Sequence, residues 1–244
     1  MKENPYDNPR FFDQYSQMDR SKKGLAGAGE WPALKAMLPE MAGKRVLDLG
    51  CGYGWHCRYA LEQGAREVVG VDISQRMLEE ARCRTTPERC RYLHMAMEDI
   101  DFPEACFDVV ISSLALHYVR DYADVLRRVA TCLKRGGDFV FSVEHPVFTA
   151  YGNQDWYRDG EGRALHWPVD RYFMEGERQA VFLGETMTKY HRTLTGYVEP
   201  LQRAGFALTG LVEPQPTEQM LSEIAGMADE LRRPMMLILA AKRL

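Results

Sequence analysis

What the 244-residue chain lacks narrows it first. No stretch approaches the ~18 consecutive apolar residues of a membrane-spanning helix. The opening MKENPYDNPRFFDQY has no apolar run of signal-peptide length, so a cytoplasmic, membrane-free protein is expected. The six cysteines, Cys51, Cys57, Cys83, Cys90, Cys106 and Cys132, contain no CxxC pair and no zinc-ligand spacing. Reduced thiols and no metal site are expected. Lys and Arg total 31 against 35 Asp and Glu, so there is no bulk attraction for a phosphate backbone. That argues against DNA or long RNA as a partner, though a local basic patch stays open. Internal repeats and low-complexity linkers are also missing.

What is present is ordinary globular composition, 45% hydrophobic and 27% charged, enough for one α/β domain with additions. Helical stretches are predicted around Phe11–Gln17 and Trp31–Leu38, with the glycine-rich Lys22–Glu30 as a mobile connector. Strand candidates follow at Arg45–Leu49, Glu67–Val71, Arg91–Met95, Phe107–Ser112 and Asp138–Val143. Between them lie helices at Trp55–Gln63, at Ser74–Arg84 with Ser74 as N-cap, and at Asp121–Leu133 closed by Gly136–Gly137. FDVVIS is nearly all apolar, as a parallel strand buried on both faces should be. This alternation specifies a parallel sheet with helices on both faces. The rhythm breaks after Glu144 in an aromatic, charged stretch. A helix at Tyr197–Ala204 and strands at Ala207–Val212 and Met235–Ala240 close the chain, predicting an antiparallel hairpin at one sheet edge.

RVLDLGCGYGWHCRYALEQGAREVVGVDIS, residues 45–74, reads as strand, glycine turn, helix and a second strand ending in an acid. A dinucleotide fingerprint needs a third glycine where Trp55 stands, and no P-loop motif exists. Asp48, two residues before Gly50, is a poor neighbour for pyrophosphate and suits a cationic amino group. Asp72 closes the second strand at the distance that takes ribose hydroxyls. A ribose-bearing ligand with an ammonium and no phosphate is S-adenosylmethionine.

VLDLGCGYG, VVGVDIS, FDVVISSLALHYV and LKRGGDFVFSV, in that order, resemble the class I S-adenosylmethionine-dependent methyltransferases. The small-molecule group with the ubiquinone and menaquinone biosynthesis enzymes is most similar. The likeness is strong over residues 44–143 and weaker in the tail. It implies a Rossmann-like, doubly wound, seven-stranded, mostly parallel sheet with an antiparallel last strand. Residues 1–40 would be an N-terminal cap, 41–146 the donor-binding core, 147–190 an inserted lid, and 191–244 a C-terminal helix with edge strands. By the same resemblance Asp48 would meet the donor's amino group, through water, at the turn formed by Gly50, Cys51, Gly52 and Gly54. Asp72 would take both ribose hydroxyls, Ile73 would pack on adenine, and Met77 would lie nearby. Met97, with Glu98 or Asp99, would edge the adenine, because Met95–Ala96 replaces the group's usual Gly-Asp. Ser112 would offer its carbonyl to the ammonium. Tyr15 and Arg20 would cover the donor and hold its carboxylate, with a core-facing aromatic stripe as the alternative.

Acceptor residues are harder to read, because methyl transfer needs alignment and dryness more than one fixed catalyst. His117 follows the fourth strand and is a candidate base, or a packing residue beside the donor. His145, between Glu144 and Pro146, is a second candidate aimed at the cleft. Tyr190, His191 and Arg192 are candidates to hold the acceptor, an anionic one in the case of Arg192, against a helix-capping alternative. Trp156 and Trp167 would belong to a lid over a flat acceptor, or pack an added subdomain. The expected activity is methyl transfer to O, N or C of a small organic molecule, releasing S-adenosylhomocysteine. An RNA or protein acceptor, or a non-catalytic donor-binding regulator, are the rivals. A monomer and a homodimer remain equally open.

Overall fold

The computed structural model describes residues 4–86 and 88–244. Three short helices lead the chain: α1 (Pro9–Ser16), α2 (Asp19–Lys22) and α3 (Trp31–Met37). The alternating part runs β1 (Arg45–Leu49), α4 (Trp55–Glu62), β2 (Glu67–Asp72), α5 (Gln75–Arg84), β3 (Cys90–His94), β4 (Phe107–Ser113), α6 (Tyr122–Cys132) and β5 (Leu133–Glu144). An insertion then carries α7 (Pro146–Thr149) and two hairpins, β6 (Tyr157–Arg158) with β7 (Ala164–His166) and β8 (Gly176–Phe182) with β9 (Glu185–His191). The tail is α8 (Leu194–Arg203), β10 (Phe206–Val212), α9 (Glu218–Glu223) and β11 (Met236–Arg243).

Seven strands form one sheet in the order β10-β11-β5-β4-β1-β2-β3. The first five strands in sequence are parallel, and β11 is antiparallel to both β5 and β10. Side chains alternate by the period of two. Val46, Val109 and Ile111 pack with Cys57 and Ala60 of α4 on one face. Leu47, Val110 and Phe139 meet Val125, Leu126 and Val129 of α6 on the other. Each of the Val, Leu, Ile and Phe side chains among them contributes roughly 1.5–3 kcal/mol. Strand order reverses between β1 and β4, and the crevice outside their carboxyl ends is where such sheets bind ligands.

Two expectations need correction. Lys22–Glu30 is built into the fold, with a single 3-10 turn at Gly24–Gly27. Its glycines serve close packing: a Cβ on Gly24 would lie 2.5 Å from the Trp55 ring, and one on Gly27 would lie 2.4 Å from the Asp19 carbonyl. Nor do Gly136–Gly137 close α6. The helix stops at Cys132, and Leu133 already pairs with Phe107 of β4. The next pair is Val109 with Asp138, so Lys134–Gly137 bulges out of the strand. Helix α9 went unread, because its six residues carry no apolar period.

Candidate functional site

The turn after β1 is shaped by two conformations. Gly50 and Gly52 stand at φ 71° and 51°, where a side chain is strained. A Cβ on Gly50 would collide with the Ala115 Cβ at 2.4 Å, whereas one on Gly52 would meet nothing within 4 Å. Gly50 therefore brings the turn against the loop after β4, and Gly52 faces open space. Asp72 fixes the turn from β2: one carboxylate oxygen accepts the Gly52 N–H and the other the Ser74 N–H, both at 2.8 Å. Each oxygen keeps a lone pair for a ligand. Burial raises the Asp72 pKa.

Asp48 lies under the turn, 1% exposed. The Cys57 thiol donates to its Oδ2 at 3.3 Å, and its Oδ1 has no partner among the described residues. Burial pushes its pKa up to about 7, with the charge of Asp72 adding to the effect. An unsatisfied buried carboxylate oxygen is costly alone and is relieved by an incoming cation.

Above the crevice lies a cavity of about 1250 Å³. Gly50, Gly52, Asp72, Ile73, Met77, Met97 and Glu98 line one end, with Tyr15 and Arg20 from the leading helices. Ser113 and Leu114 line it as well; Ser112, expected there, is fully buried and donates its hydroxyl to the Leu49 carbonyl at 2.9 Å. Its hydroxyl is thus engaged within the sheet, whereas the group expected at the donor was its backbone carbonyl. Asp48, Cys51, Gly54 and Asp99 lie outside the lining. Cys51 is buried beneath the turn, Gly54 precedes α4, and Asp99 ends a 3-10 turn that begins at Met97.

The leading segment is latched over this end. Asp7 accepts from the Ser74 hydroxyl at 2.6 Å and the Arg76 N–H at 3.1 Å, and Asn4 donates to the Ile73 carbonyl at 3.1 Å.

At the other end the cavity is lined by His117, Tyr118, Glu144, Phe148, Lys189 and Tyr190. Lys189, 3% exposed along its side chain, donates to Glu144 at 2.6 Å and to the Gln154 carbonyl oxygen at 2.8 Å. Gln154 closes the ring by donating to Glu144 at 2.6 Å. Lys189 and His117 hold the Glu144 carboxyl below its ordinary pKa against the opposing effect of burial. Burial drops the His117 pKa to about 4, so its imidazole is neutral at physiological pH. The Glu144 N–H lies 3.4 Å from its Nδ1.

The remaining acceptor candidates are outside the lining, for visible reasons. His145 caps α7 through the Val147 N–H at 3.0 Å, and its Nε2 is 2.8 Å from Glu213. Both nitrogens of His191 are spoken for, by the Thr149 hydroxyl at 2.7 Å and the Tyr172 carbonyl at 2.8 Å. Arg192 donates to the Val119 and Arg120 carbonyls and lies over the Tyr122 ring. Trp167 stacks on Phe148 and donates to the Val147 carbonyl, while Trp156 meets it edge-on; Arg233 packs against all three rings. These five residues hold the insertion in place.

A family described as a methyltransferase domain matches residues 47–141. The structure of an S-adenosylmethionine-dependent methyltransferase from Listeria monocytogenes is 52% identical, with a TM-score of 0.83 over 89% of this chain and 99% of that one. Its counterpart from Mesorhizobium loti is 45% identical, with a TM-score of 0.84 over 90% and 100%. The chain belongs to the class I S-adenosylmethionine-dependent methyltransferases. A tRNA U34 carboxymethyltransferase from Hahella chejuensis is 29% identical over 78% of this chain, which spans 56% of that protein.

The methyltransferase's residues fit the donor on observations of their own. The open face of Gly52 leaves room against the turn, the orphaned Asp48 oxygen suits an ammonium, and the free lone pairs of Asp72 suit vicinal hydroxyls. Sequence reasoning missed Lys189, Gln154 and Glu30, which also line the cavity. Glu144 had one signal, its place at the carboxyl end of β5. Lys189 had none, since one lysine in a polar hairpin looks like any other.

Proposed function

We propose that this methyltransferase acts on a small organic acceptor held at the Glu144–Lys189 end of the cavity, with residues 1–40 as its cap and 147–190 as its lid. One observation carries the reading. The cavity, about 1250 Å³, runs unbroken from the glycine turn to the insertion and exceeds the roughly 300–1,000 Å³ of a pocket for one drug-sized ligand. Two molecules can lie in it end to end.

In this reading Asp72 holds the ribose hydroxyls, Ile73 and Met97 sandwich the adenine, and Glu98 edges it. Asp48 and Arg20 take the amino and carboxylate groups of the donor's methionine part. When bound, the donor supplies an electrophilic methyl on a sulfonium. The chain's residues bring the acceptor into line with it and keep water out. His117, neutral, hydrogen-bonds the acceptor's nucleophilic atom, and Tyr190 and Phe148 pack on its ring or chain. The ubiquinone and menaquinone likeness carries over only as an acceptor size class.

The test is a turnover screen that reads S-adenosylhomocysteine release from a metabolite library and, in parallel, from unmodified tRNA. Turnover with a small acceptor is expected. Methylation of tRNA alone, at moderate salt, overturns the reading in favour of a nucleic-acid substrate. The net charge of -4 weighs against that outcome.

A further inference from the structure

One carboxylate in the cavity has no place in the roles above. Glu30 lines it, is 2% exposed, and lies at the start of α3 without capping the helix. Its Oε1 accepts from Arg20 at 2.6 Å, and its Oε2 is buried with no partner among the described residues. A half-satisfied buried carboxylate is destabilising unless a cation completes it.

The surroundings say which cation. Arg20 and Glu30 form an ion pair on the cavity wall beside Tyr15. Trp31, the residue after Glu30, meets His56 of α4 edge-on with 5.5 Å between ring centroids, and Gly24 packs against Trp55, the first residue of that helix. The pair therefore sits where the glycine turn leads into α4. A donor whose ribose lies on Asp72 and whose adenine lies on Ile73 has only its amino-acid end left to face this wall. That end is a zwitterion, an α-carboxylate and an α-ammonium on one carbon. A guanidinium next to a carboxylate oxygen in need of a donor is its complement.

We propose that Arg20 and Glu30 form a zwitterion clamp, with Glu30 Oε2 accepting from the donor's α-ammonium while Arg20 holds the α-carboxylate. The inference rests on the donor orientation given above. Asp48 then polarises the ammonium from beneath and Glu30 grips it from above.

The test compares two ligands in calorimetric titration: S-adenosylhomocysteine, and 5′-methylthioadenosine, which keeps the nucleoside and lacks the amino-acid group. Glu30→Gln keeps an oxygen for Arg20 and removes the charge. It should weaken S-adenosylhomocysteine about tenfold or more while leaving 5′-methylthioadenosine within about twofold, as befits one charge-assisted hydrogen bond. Equal weakening of both ligands would mean a structural role and overturns the proposal, as does unchanged affinity for both. The wild-type protein supplies a check free of any folding defect: the deaminated analogue of S-adenosylhomocysteine, which loses Glu30 and Asp48 together, should bind at least as poorly as the parent does to Glu30→Gln. Equal binding of parent and analogue also sinks the clamp. Asp72→Ala tells the two readings apart, because it should weaken both ligands. If it weakens neither, the donor orientation itself is wrong.

Discussion

The donor end and the acceptor end of the cavity are built by different means. At the donor end the backbone does most of the shaping: three left-handed glycines, Gly50, Gly52 and Gly54, set the turn, and the Asp72 carboxylate clamps it through the N–H groups of Gly52 and Ser74. At the acceptor end side chains from separate segments converge, one of them, Gln154, from a left-handed position at φ 56°. Glu144 ends β5, Gln154 sits in the insertion and Lys189 comes from β9, yet the three close one hydrogen-bonded ring. Backbone geometry serves a ligand that never changes, while converging side chains can be exchanged one at a time. The largest effect that would break this division is on Asp72. Asp72→Ala should weaken S-adenosylhomocysteine about a hundredfold or more, two charge-assisted hydrogen bonds being lost together. The circular dichroism spectrum should be retained. Unchanged calorimetric affinity would place the donor elsewhere.

The acceptor end makes the opposite demand. Lys189→Met leaves the Glu144 carboxylate in a dry wall with Gln154 as its remaining donor. Removing one partner of a buried ion pair costs about 3–5 kcal/mol, readable in urea unfolding. Donor affinity should stay within about twofold, because Lys189 belongs to the far end of the cavity. A large fall in donor affinity at constant stability would mean that the two ends are one site.

The same contrast explains what the sequence disclosed. Strands β1, β2 and β4 were legible because each is a short, largely apolar run followed by a turn or a capped helix, Ser74 and Asp121 being caps as their residue types suggest. Gly50, Gly52 and Asp72 were legible as a cluster because one strand–turn–strand segment carries all three, and the fold brings them to one cavity wall. Lys189 and Gln154 were not, since they lie 35 residues apart and meet only once the insertion has folded back on itself. Glu30 was hidden in a stretch whose glycines read as freedom, although Gly24 and Gly27 are there to let Trp55 and the Asp19 backbone come close. His191 and Arg192 pointed to chemistry by residue type, and only their partners reveal them as fasteners.

A smaller effect sharpens the donor side through pH. Asp48 has its pKa raised to about 7, and an ammonium prefers the ionised form. As pH falls below about 7 the protonated fraction grows, so donor affinity should drop, by up to about tenfold per unit. Above 7 it should level off. Asp48→Asn should bind more weakly and lose this pH dependence, which calorimetry at several pH values between about 5.5 and 8.5 can check. A wild-type profile flat across that range would separate Asp48 from the ammonium.

The smallest effect concerns the latch between the leading segment and the donor end. The Ser74 hydroxyl both caps α5, accepting the Met77 N–H at 3.2 Å, and donates to Asp7 at 2.6 Å. Ser74→Ala removes both, costing about 1 kcal/mol as a lost N-cap does. Asp7 keeps the Arg76 and Gln75 N–H groups at 3.1 and 3.4 Å, and Asn4 keeps the Ile73 carbonyl, so the segment loosens without letting go. Donor affinity should therefore fall only about twofold to threefold, and faster dissociation should account for it. Were affinity to fall as far as in Asp72→Ala, the segment would be part of the donor site's framework and not a cover, and the division between a backbone-built cradle and its side-chain fittings would have to be drawn further out.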